Sequence, residues 1–315
     1  MKHFLTLDGL TPADFHGLLA LASYLKDRRR KGVQDHCLGG KTLAMIFEKP
    51  SLRTRLSFEV AMVDFGGRGI YIRGEEIGLG EREPVQDAAR VLSRYHHGIM
   101  ARVFKHATVT GLAAHATIPV VNGLSDDSHP CQALADFQTI LEHFGSVAGK
   151  RLVFIGDANN VSRSLAHACI LAGSTLVLAC PKDYAFGAAD IAAFGVHWGT
   201  SVVQLHDPAQ AVANADVLYS DVWTSMGQEA EKAIRLKAFQ GYQINEKLLA
   251  MAPKAKVMHC LPAHRGEEIT DGAMESPQSI VFDQAENRLH AQKAVLRVLM
   301  AADGPALLAS MRPKS

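Results

Sequence analysis

A group of side chains suited to holding an anion lies in the first third of the chain. Ser51 and Thr54 bring hydroxyl groups and Arg53 brings a guanidinium, directly after the apolar run 42–47. A helix that begins here would add unpaired backbone N–H groups and the positive end of its dipole, which together suit a phosphate. The alternative is a helix N-cap beside solvated arginines, but two arginines and two hydroxyls within residues 51–55 favour an anion site.

A second group could stabilise negative charge that develops on an oxygen atom. Arg102 comes at the end of an apolar run, and His129 precedes Pro130, Cys131 and Gln132 at the start of an amphipathic segment. An arginine and a histidine that converge on one oxygen would polarise a carbonyl group and stabilise an oxyanion. His129 taken alone could equally be a residue that caps a helix.

Polar residues also follow the apolar runs of the second half. Asn160 offers an amide group, Asp221 could bind an amine, and Ser225 with the backbone after it could bind a carboxylate. Cys260 follows a strand-like run and could be activated as a thiolate. Arg288 lies at the front of the last helix-like segment. The alternatives are a capping asparagine, a plain surface loop, an inert buried cysteine and an ordinary salt bridge.

Short apolar runs alternate with longer amphipathic segments, which predicts an α/β fold with two parallel sheets flanked by helices. The length of 315 residues favours two domains. We expect the active site in the cleft between them, because ligands bind at the carboxyl ends of such strands. The predicted strands are 42–47, 70–72, 98–103, 119–122, 151–157, 175–179, 201–203, 217–220, 256–259 and 280–282. The predicted helices are 12–30, 54–65, 84–95, 132–144, 161–171 and 285–300.

Composition excludes several classes of protein. Hydrophobic residues make up 48%, which excludes intrinsic disorder, and a net charge of +1 argues against a dedicated nucleic-acid binder. We find no stretch with the character of a signal peptide or a bilayer span, so no membrane partner is expected. Five widely spaced cysteines without a Cys-x-x-Cys pair indicate reduced thiols rather than disulfides or structural zinc. The prediction is a cytoplasmic protein.

Two pairs of motifs resemble those of a known protein family. Residues 47–55 (FEKPSLRTR) and 129–132 (HPCQ) resemble the carbamoyl-phosphate site of the aspartate/ornithine carbamoyltransferase family. Residues 221–227, which include Ser-Met-Gly, and 259–262 (HCLP) resemble the members of that family that act on ornithine. The similarity runs in consistent order from about residue 2 to residue 301.

The resemblance implies transfer of the carbamoyl group from carbamoyl phosphate to the side-chain amine of L-ornithine. The products are L-citrulline and phosphate, in arginine biosynthesis, and no metal or organic cofactor is required. It also implies a homotrimer of two-domain subunits. The carbamoyl-phosphate domain would comprise residues 1–132, completed by a helix at about 285–301, and the ornithine domain residues 147–284, with a bridging helix over 133–146.

The same resemblance implies roles for individual residues. The phosphate would be held by Ser51, Arg53, Thr54 and backbone N–H groups that include that of Leu52. The carbonyl oxygen would be held by Arg102 and His129, with Pro130, Cys131 and Gln132 completing the carbamoyl site and Arg288 reaching it from the last helix. The amino-acid end of ornithine would meet Asn160, Asp221, Ser225 and Met226. The reacting amine would lie against Cys260 and Leu261. The catalytic groups are then Cys260, Arg102, His129 and Asp221.

Two departures from the family pattern and three rival functions stay open here. Leu52 lacks a hydroxyl usual in the phosphate segment, and Gly78 stands where a glutamine that reaches a neighbouring subunit is common. An enzyme acting on putrescine or another diamine would have no carboxylate for Ser225 to bind. An NAD-dependent dehydrogenase would need a glycine fingerprint of which only Gly156 is present. A catalytically silent scaffold homologue would keep the fold without turnover.

Overall fold

The computed structural model describes residues 1–225 and 227–313 of the chain. Within these residues the chain divides into two compact units. Unit 1 comprises residues 1–138 together with residues 286–313, and unit 2 comprises residues 139–285. Unit 2 is therefore inserted into the sequence of unit 1.

The helices and strands are named in chain order. The strands of the described chain are β1 (Thr42–Phe47), β2 (Arg68–Arg73), β3 (Gly98–Arg102), β4 (Val120–Leu124), β5 (Arg151–Ile155), β6 (Thr175–Ala179), β7 (Val202–Leu205), β8 (Val217–Ser220) and β9 (Lys256–His259). The α-helices are α1 (Pro12–Arg30), α2 (Leu52–Asp64), α3 (Gly74–Ile77), α4 (Val85–Tyr95), α5 (His106–His115), α6 (Pro130–Phe144), α7 (Asn160–Ala172), α8 (Ala188–Phe194), α9 (Pro208–Ala211), α10 (Lys232–Ala238), α11 (Glu246–Met251), α12 (Asp271–Met274), α13 (Val281–Met300) and α14 (Gly304–Met311). Short 3-10 helices occupy Lys182–Tyr184, Gly195–His197 and Glu229–Glu231.

The sheet of unit 1 has the parallel strand order β2-β1-β3-β4. Its central strand β1 is buried from Leu43 to Phe47, as expected where helices cover both faces of a parallel sheet. Phe47 pairs with Arg102, and the N–H of Glu48 donates to the carbonyl of Arg102 at 2.9 Å. This register places the segment that follows β1 beside the side chain that ends β3.

The sheet of unit 2 has the parallel strand order β7-β6-β5-β8-β9. Apolar side chains from β5, β6, β8 and β9 form its core together with residues of α9, α11 and α12. Ser220 pairs with His259 at the last positions of β8 and β9. The residues that follow these two strands, Asp221 and Cys260, therefore come out side by side at the carboxyl edge of the sheet.

Two parallel sheets flanked by helices confirm the predicted α/β fold, and most predicted elements are present within one to three residues of their predicted bounds. The predicted strand at 280–282 is wrong. Ser279 makes an isolated parallel bridge to Val257, and the chain then turns into α13, where the N–H of Gln284 donates to the carbonyl of Ile280. Val281 is buried and Phe282 is exposed, a pattern that three residues cannot distinguish from a strand.

Several helices were not predicted from the sequence, among them α5, α8, α10 and α14. The segment of α5 is rich in alanine, threonine and glycine and lacks a clear polar face, so periodicity gives little signal there. No helix in residues 1–225 or 227–313 has the length and apolar character needed to cross a membrane.

The turn after α2 depends on two consecutive glycines. Gly66 has a φ of +75°, a left-handed conformation that glycine adopts without strain. A Cβ on Gly67 would lie 2.6 Å from Cε of Met62 and 2.9 Å from the carbonyl oxygen of Lys41. The backbone just before β1 and the side chain of Met62 from α2 thus approach Gly67 too closely for a side chain.

We predict that Gly67→Ala lowers the free energy of unfolding by about 1–3 kcal/mol, the usual cost of forcing extra volume into a packed site. Gly9→Ala is the matched control, because a Cβ there meets no atom within 4 Å. Urea denaturation of both variants measures the difference. Equal stability of the two variants would show that the neighbouring atoms move to accept a Cβ, so that the close contacts at Gly67 do not reduce stability.

Candidate active site

The N-terminus of α2 carries the predicted phosphate-binding residues. Ser51 is its N-cap: the hydroxyl oxygen accepts the N–H of Thr54 at 3.3 Å and the hydroxyl donates to Oγ1 of Thr54 at 3.1 Å. Leu52 is the first helical residue, and its side chain is 69% exposed, so what it offers at the helix end is its backbone N–H. The helix begins two residues earlier than predicted, which puts Arg53 in its first turn.

Arg288 of α13 connects this helix to the start of α6. Its buried guanidinium donates to Oε1 of Gln132 at 2.7 Å and to Oγ1 of Thr54 at 3.3 Å. The amide of Gln132 in turn donates to Oδ1 of Asp136 at 2.8 Å, which fixes its orientation. Gln132 and Thr54 are neutral, so these two contacts position the guanidinium without cancelling its charge.

His129 lies at the centre of the positive charge in unit 1. Burial lowers the pKa of His129 well below its usual 6.5, and the charges of Arg288, Arg102 and Arg53 lower it further. The imidazole is therefore neutral at physiological pH. We call the set Ser51, Arg53, Thr54, Arg102, His129 and Arg288 the anion site, because three guanidinium groups and a helix N-terminus favour a bound negative charge.

Pro130 and Cys131 help to fix the start of α6, next to His129. Pro130 is the first residue of α6, where its missing N–H and its restricted φ fit a helix start. The thiol of Cys131 is buried and donates to the carbonyl oxygen of Asn122 at 3.5 Å. Burial raises the pKa of Cys131 to about 12, so this thiol stays protonated.

Asp221 is the centre of the polar residues in unit 2. One carboxylate oxygen accepts the thiol of Cys260 at 2.9 Å and the N–H of Val222 at 2.8 Å. The other accepts the side-chain amide of Asn159 at 3.0 Å. We call Asp221, Cys260 and Asn159 the Asp221 cluster. Its carboxylate is held on both oxygens beside a thiol, an arrangement that can bind an amine and take up a proton.

The family resemblance gives a substrate-binding role to Asn160, and its neighbour Asn159 is the asparagine that contacts Asp221. Asn159 caps α7 with its side-chain oxygen, which accepts the N–H groups of Val161 and Ser162, and its amide reaches Asp221. Asn160 is the first residue of α7. The sequence alone does not show which of two adjacent asparagines caps the helix. Their contacts differ because the helix begins between them.

A buried arginine that sequence reasoning missed holds the loop after β8. The guanidinium of Arg235 lies against the rings of Tyr184 and Phe239, 4.8 and 5.7 Å from their centroids. It donates to the carboxylate of Asp157 and to the carbonyl of Trp223. Burial raises the pKa of Asp157 and the nearby charge of Asp221 adds to this, whereas Arg235 acts in the opposite direction. Arg235 is 78 residues from Asp157 in sequence, so no local motif indicates the contact.

The remaining predicted residues follow β8 and β9. Ser225 forms a turn in which its N–H donates to Oε1 of Gln228 at 3.0 Å. Met226 lies outside the described residues. Leu261 has a left-handed φ of +57°, its N–H donates to Nδ1 of His259 at 2.9 Å, and the peptide bond to Pro262 is cis. The backbone on either side of Cys260 is thus held by specific contacts.

Each unit therefore brings some of its predicted residues together. In unit 1 the anion site lies beside Gln132, and in unit 2 the Asp221 cluster assembles from three loops. The first arrangement can bind a phosphate and polarise a carbonyl group. The second can bind an amine and change its protonation.

Comparisons with known proteins match both units. Residues 2–142 match the family model for the carbamoyl-P binding domain of aspartate/ornithine carbamoyltransferase, and residues 148–299 match the model for its Asp/Orn binding domain. An ornithine carbamoyltransferase of Archaeoglobus fulgidus is 51% identical over 304 residues, which cover 96% of this chain and 99% of the relative.

Pyrococcus furiosus provides a relative in sequence and in structure. Its anabolic ornithine carbamoyltransferase is 50% identical over 308 residues, which cover 95% of this chain and 96% of the relative. A solved structure of ornithine carbamoyltransferase from that organism has a TM-score of 0.91 at 50% identity, with coverage of 95% and 97% of the two chains. Matches of this extent and identity establish that the chain belongs to the aspartate/ornithine carbamoyltransferase family.

Proposed function

We propose that this protein is an enzyme that transfers the carbamoyl group of carbamoyl phosphate to the side-chain amine of L-ornithine, in arginine biosynthesis. The products are L-citrulline and phosphate. The observation that carries the proposal is the buried guanidinium of Arg288, held on Gln132 and on Thr54 at the start of α2, in the unit that also buries Arg102 and His129. This arrangement suits a dianionic donor with a polarisable carbonyl group. Relatives of about 50% sequence identity are named ornithine carbamoyltransferases, which supports ornithine as the acceptor.

In this proposal the anion site binds the donor. Ser51, Arg53 and Thr54 hold the phosphate together with the N–H groups at the start of α2, and the exposed side chain of Leu52 takes no part. Arg288 contributes a second charge from α13. The phosphate is the leaving group, so these contacts stabilise the negative charge that it gains when its bond to the carbonyl carbon breaks.

The carbonyl group of the donor meets Arg102 and His129. The ring N–H of the neutral imidazole and the guanidinium donate to the carbonyl oxygen, which becomes negative when the amine attacks. Gln132, held between Arg288 and Asp136, presents its amide to the amino group of the carbamoyl moiety. Pro130 and Cys131 keep the start of α6 in place.

The acceptor belongs to the residues of unit 2. A side-chain amine has a pKa near 10 and is mostly protonated at pH 7, whereas attack needs the neutral form. Asp221 and Cys260, joined by a 2.9 Å hydrogen bond, are the groups that bind the ammonium and take its proton, with Leu261 beside them. Asn160, Ser225 and Met226 take the amino-acid end. A bound dinucleotide is disfavoured, because Asp157 follows β5 where a pyrophosphate would lie.

The test of the proposed function is citrulline formation from carbamoyl phosphate and ornithine, with putrescine and aspartate as parallel acceptors. We expect turnover with ornithine alone. Asp221→Asn keeps the shape of the side chain and removes its charge, so we expect its turnover to fall by at least 100-fold, whereas the exposed control Asp183→Asn keeps full activity. Turnover with putrescine would overturn the acceptor assignment, and folded protein without any turnover would favour a silent homologue.

His129 provides a second test. We predict that His129→Gln lowers kcat by about 100–1,000-fold, the usual loss for one oxyanion donor. The pKa of His129 is already far below 6.5, so its titration does not shape the activity between pH 6.5 and 8, and the midpoint of the kcat/KM profile stays unchanged in the variant. His143→Gln, on a side chain that pairs with Asp283, is the control. A shifted midpoint would show that His129 titrates in this range.

We further propose that the enzyme is a cytoplasmic homotrimer. The described cysteines are all free, which suits a reducing compartment. Leu52, Leu56 and Val63 recur at helical spacing on one face of α2 and are 69%, 47% and 67% exposed. An exposed apolar stripe of this kind is typical of a surface that a partner covers.

We predict that sedimentation of the purified protein gives three times the mass of one chain. Val63→Asp should shift the equilibrium toward monomer, because a charge would be buried without a partner in the interface. Val196→Asp, at a position of unit 2 that is 89% exposed, is the matched control and should leave the mass unchanged. A monomeric wild type, or a trimer that Val63→Asp does not change, would contradict the proposal that this face of α2 lies in a trimer interface.

A further inference from the structure

Three side chains with metal-binding chemistry lie on the turn that follows the Cys260 segment. His264, Glu267 and Glu268 each offer one ligand atom, and these atoms lie within 4.8 Å of one another. The turn is closed by a hydrogen bond of 2.8 Å from the N–H of Gly266 to the carbonyl of Ile269. None of the three residues has a part in the proposed carbamoyl transfer, so the cluster needs its own explanation. We call it the His264 cluster.

Glu268 is the buried anchor of this cluster. Its side chain is fully buried, and Oε1 accepts the N–H of His264 at 2.6 Å and Nε2 of His259 at 3.1 Å. Oε2 is also buried and has no hydrogen-bond partner among the described residues. A buried carboxylate oxygen without a partner costs free energy, and a cation is one of the groups that removes this cost.

His264 and Glu267 complete the cluster on the side that solvent reaches. Nδ1 of His264 and Oε2 of Glu267 are 3.4 Å apart, and neither atom has a hydrogen-bond partner within the described part of the chain. Lys232 pairs with the other oxygen of Glu267 at 2.8 Å, which leaves Oε2 directed elsewhere. The two side chains are 40% and 25% exposed, so the cluster lies near the surface, while its Nδ1 and Oε2 atoms are themselves shielded from solvent.

The separation of one pair of these atoms matches that of two ligands on a small divalent cation, and the whole set lies within 4.8 Å. Zinc lies about 2.1 Å from histidine nitrogens and carboxylate oxygens, so two ligands at neighbouring corners of a tetrahedron are about 3.4 Å apart. This is the separation of Nδ1 of His264 from Oε2 of Glu267. One imidazole and two carboxylates are also a donor set that zinc and similar first-row metals accept.

We propose that His264, Glu267 and Glu268 bind a divalent cation of the zinc class, with solvent at the remaining position. The site is structural in character and takes no part in the chemical step. Glu268 connects it to the segment that carries Cys260, because His259 donates to Glu268 and receives the N–H of Leu261. A bound cation therefore holds the buried carboxylate and, through His259, the backbone beside Cys260.

The test is calorimetric titration of the metal-free full-length protein with Zn²⁺. We expect one ion per chain, and a loss of affinity in Glu267→Gln and in His264→Gln that exceeds the roughly 10–100-fold typical of changes to outer-sphere partners. His143→Gln is the matched control, because this histidine also pairs with a carboxylate, that of Asp283 at 2.8 Å. The control should bind Zn²⁺ as the wild type does. The midpoint of thermal unfolding should rise with Zn²⁺ concentration in the wild type and the control only.

Cys260 and Asp221 are a rival location for a metal, and Co²⁺ separates the two. Ligation by nitrogen and oxygen gives weak visible bands, whereas a thiolate ligand adds an intense band in the near ultraviolet. We expect the first spectrum, unchanged in Cys260→Ser. No binding of Zn²⁺, or binding that survives Glu267→Gln and His264→Gln and is lost in Cys260→Ser, would overturn the proposal. Both test positions are partly exposed, and circular dichroism checks that the variants are folded.

Discussion

The guanidinium of Arg288 is the interaction on which the geometry of unit 1 depends. A buried charge is tolerated only when polar partners surround it, and here the partners come from the starts of two helices that lie far from α13 in sequence. The amide of Gln132 and the hydroxyl of Thr54 are consequently held at fixed positions relative to each other. The N-terminus of α2 and the start of α6 thereby become parts of one site. His129 lies three residues before Gln132, and the charge of Arg288 helps to lower its pKa, so that the imidazole stays neutral.

In unit 2 the polar residues are organised around a negative charge instead of a positive one. There a carboxylate is the fixed group, and its partners are a thiol, an amide and a backbone N–H. The strand register makes this possible, because β8 and β9 are neighbours and end at the same level. Arg235 then neutralises the second carboxylate of this edge, that of Asp157, so that two acidic groups can coexist close together.

Local sequence was enough to predict the parts of the molecule that local physics determines. The apolar runs of β1 and β8 predict strands, and the hydroxyl groups before α2 predict a helix start. The sequence therefore places the polar residues that follow these strands at the strand ends. Contacts between distant segments had no such signal. Arg235 needs the ring of Tyr184 and the carboxylate of Asp157 from two other segments, and Asn159 differs from Asn160 only in its place at the start of α7. The apolar run 280–282 was too short to show whether its period was that of a strand or a helix.

The insertion of unit 2 into unit 1 has a consequence for how the protein is made. Residues 139–285 leave the ribosome as one continuous segment and contain all five strands of their sheet. Unit 1 lacks α14 and most of α13, including Arg288, until the last part of the chain emerges. Since domains generally fold as units during synthesis, the inserted unit can reach its fold while the flanking unit is still incomplete. The anion site then forms only after unit 2 has been synthesised, although Ser51, Arg53 and Thr54 are translated before unit 2.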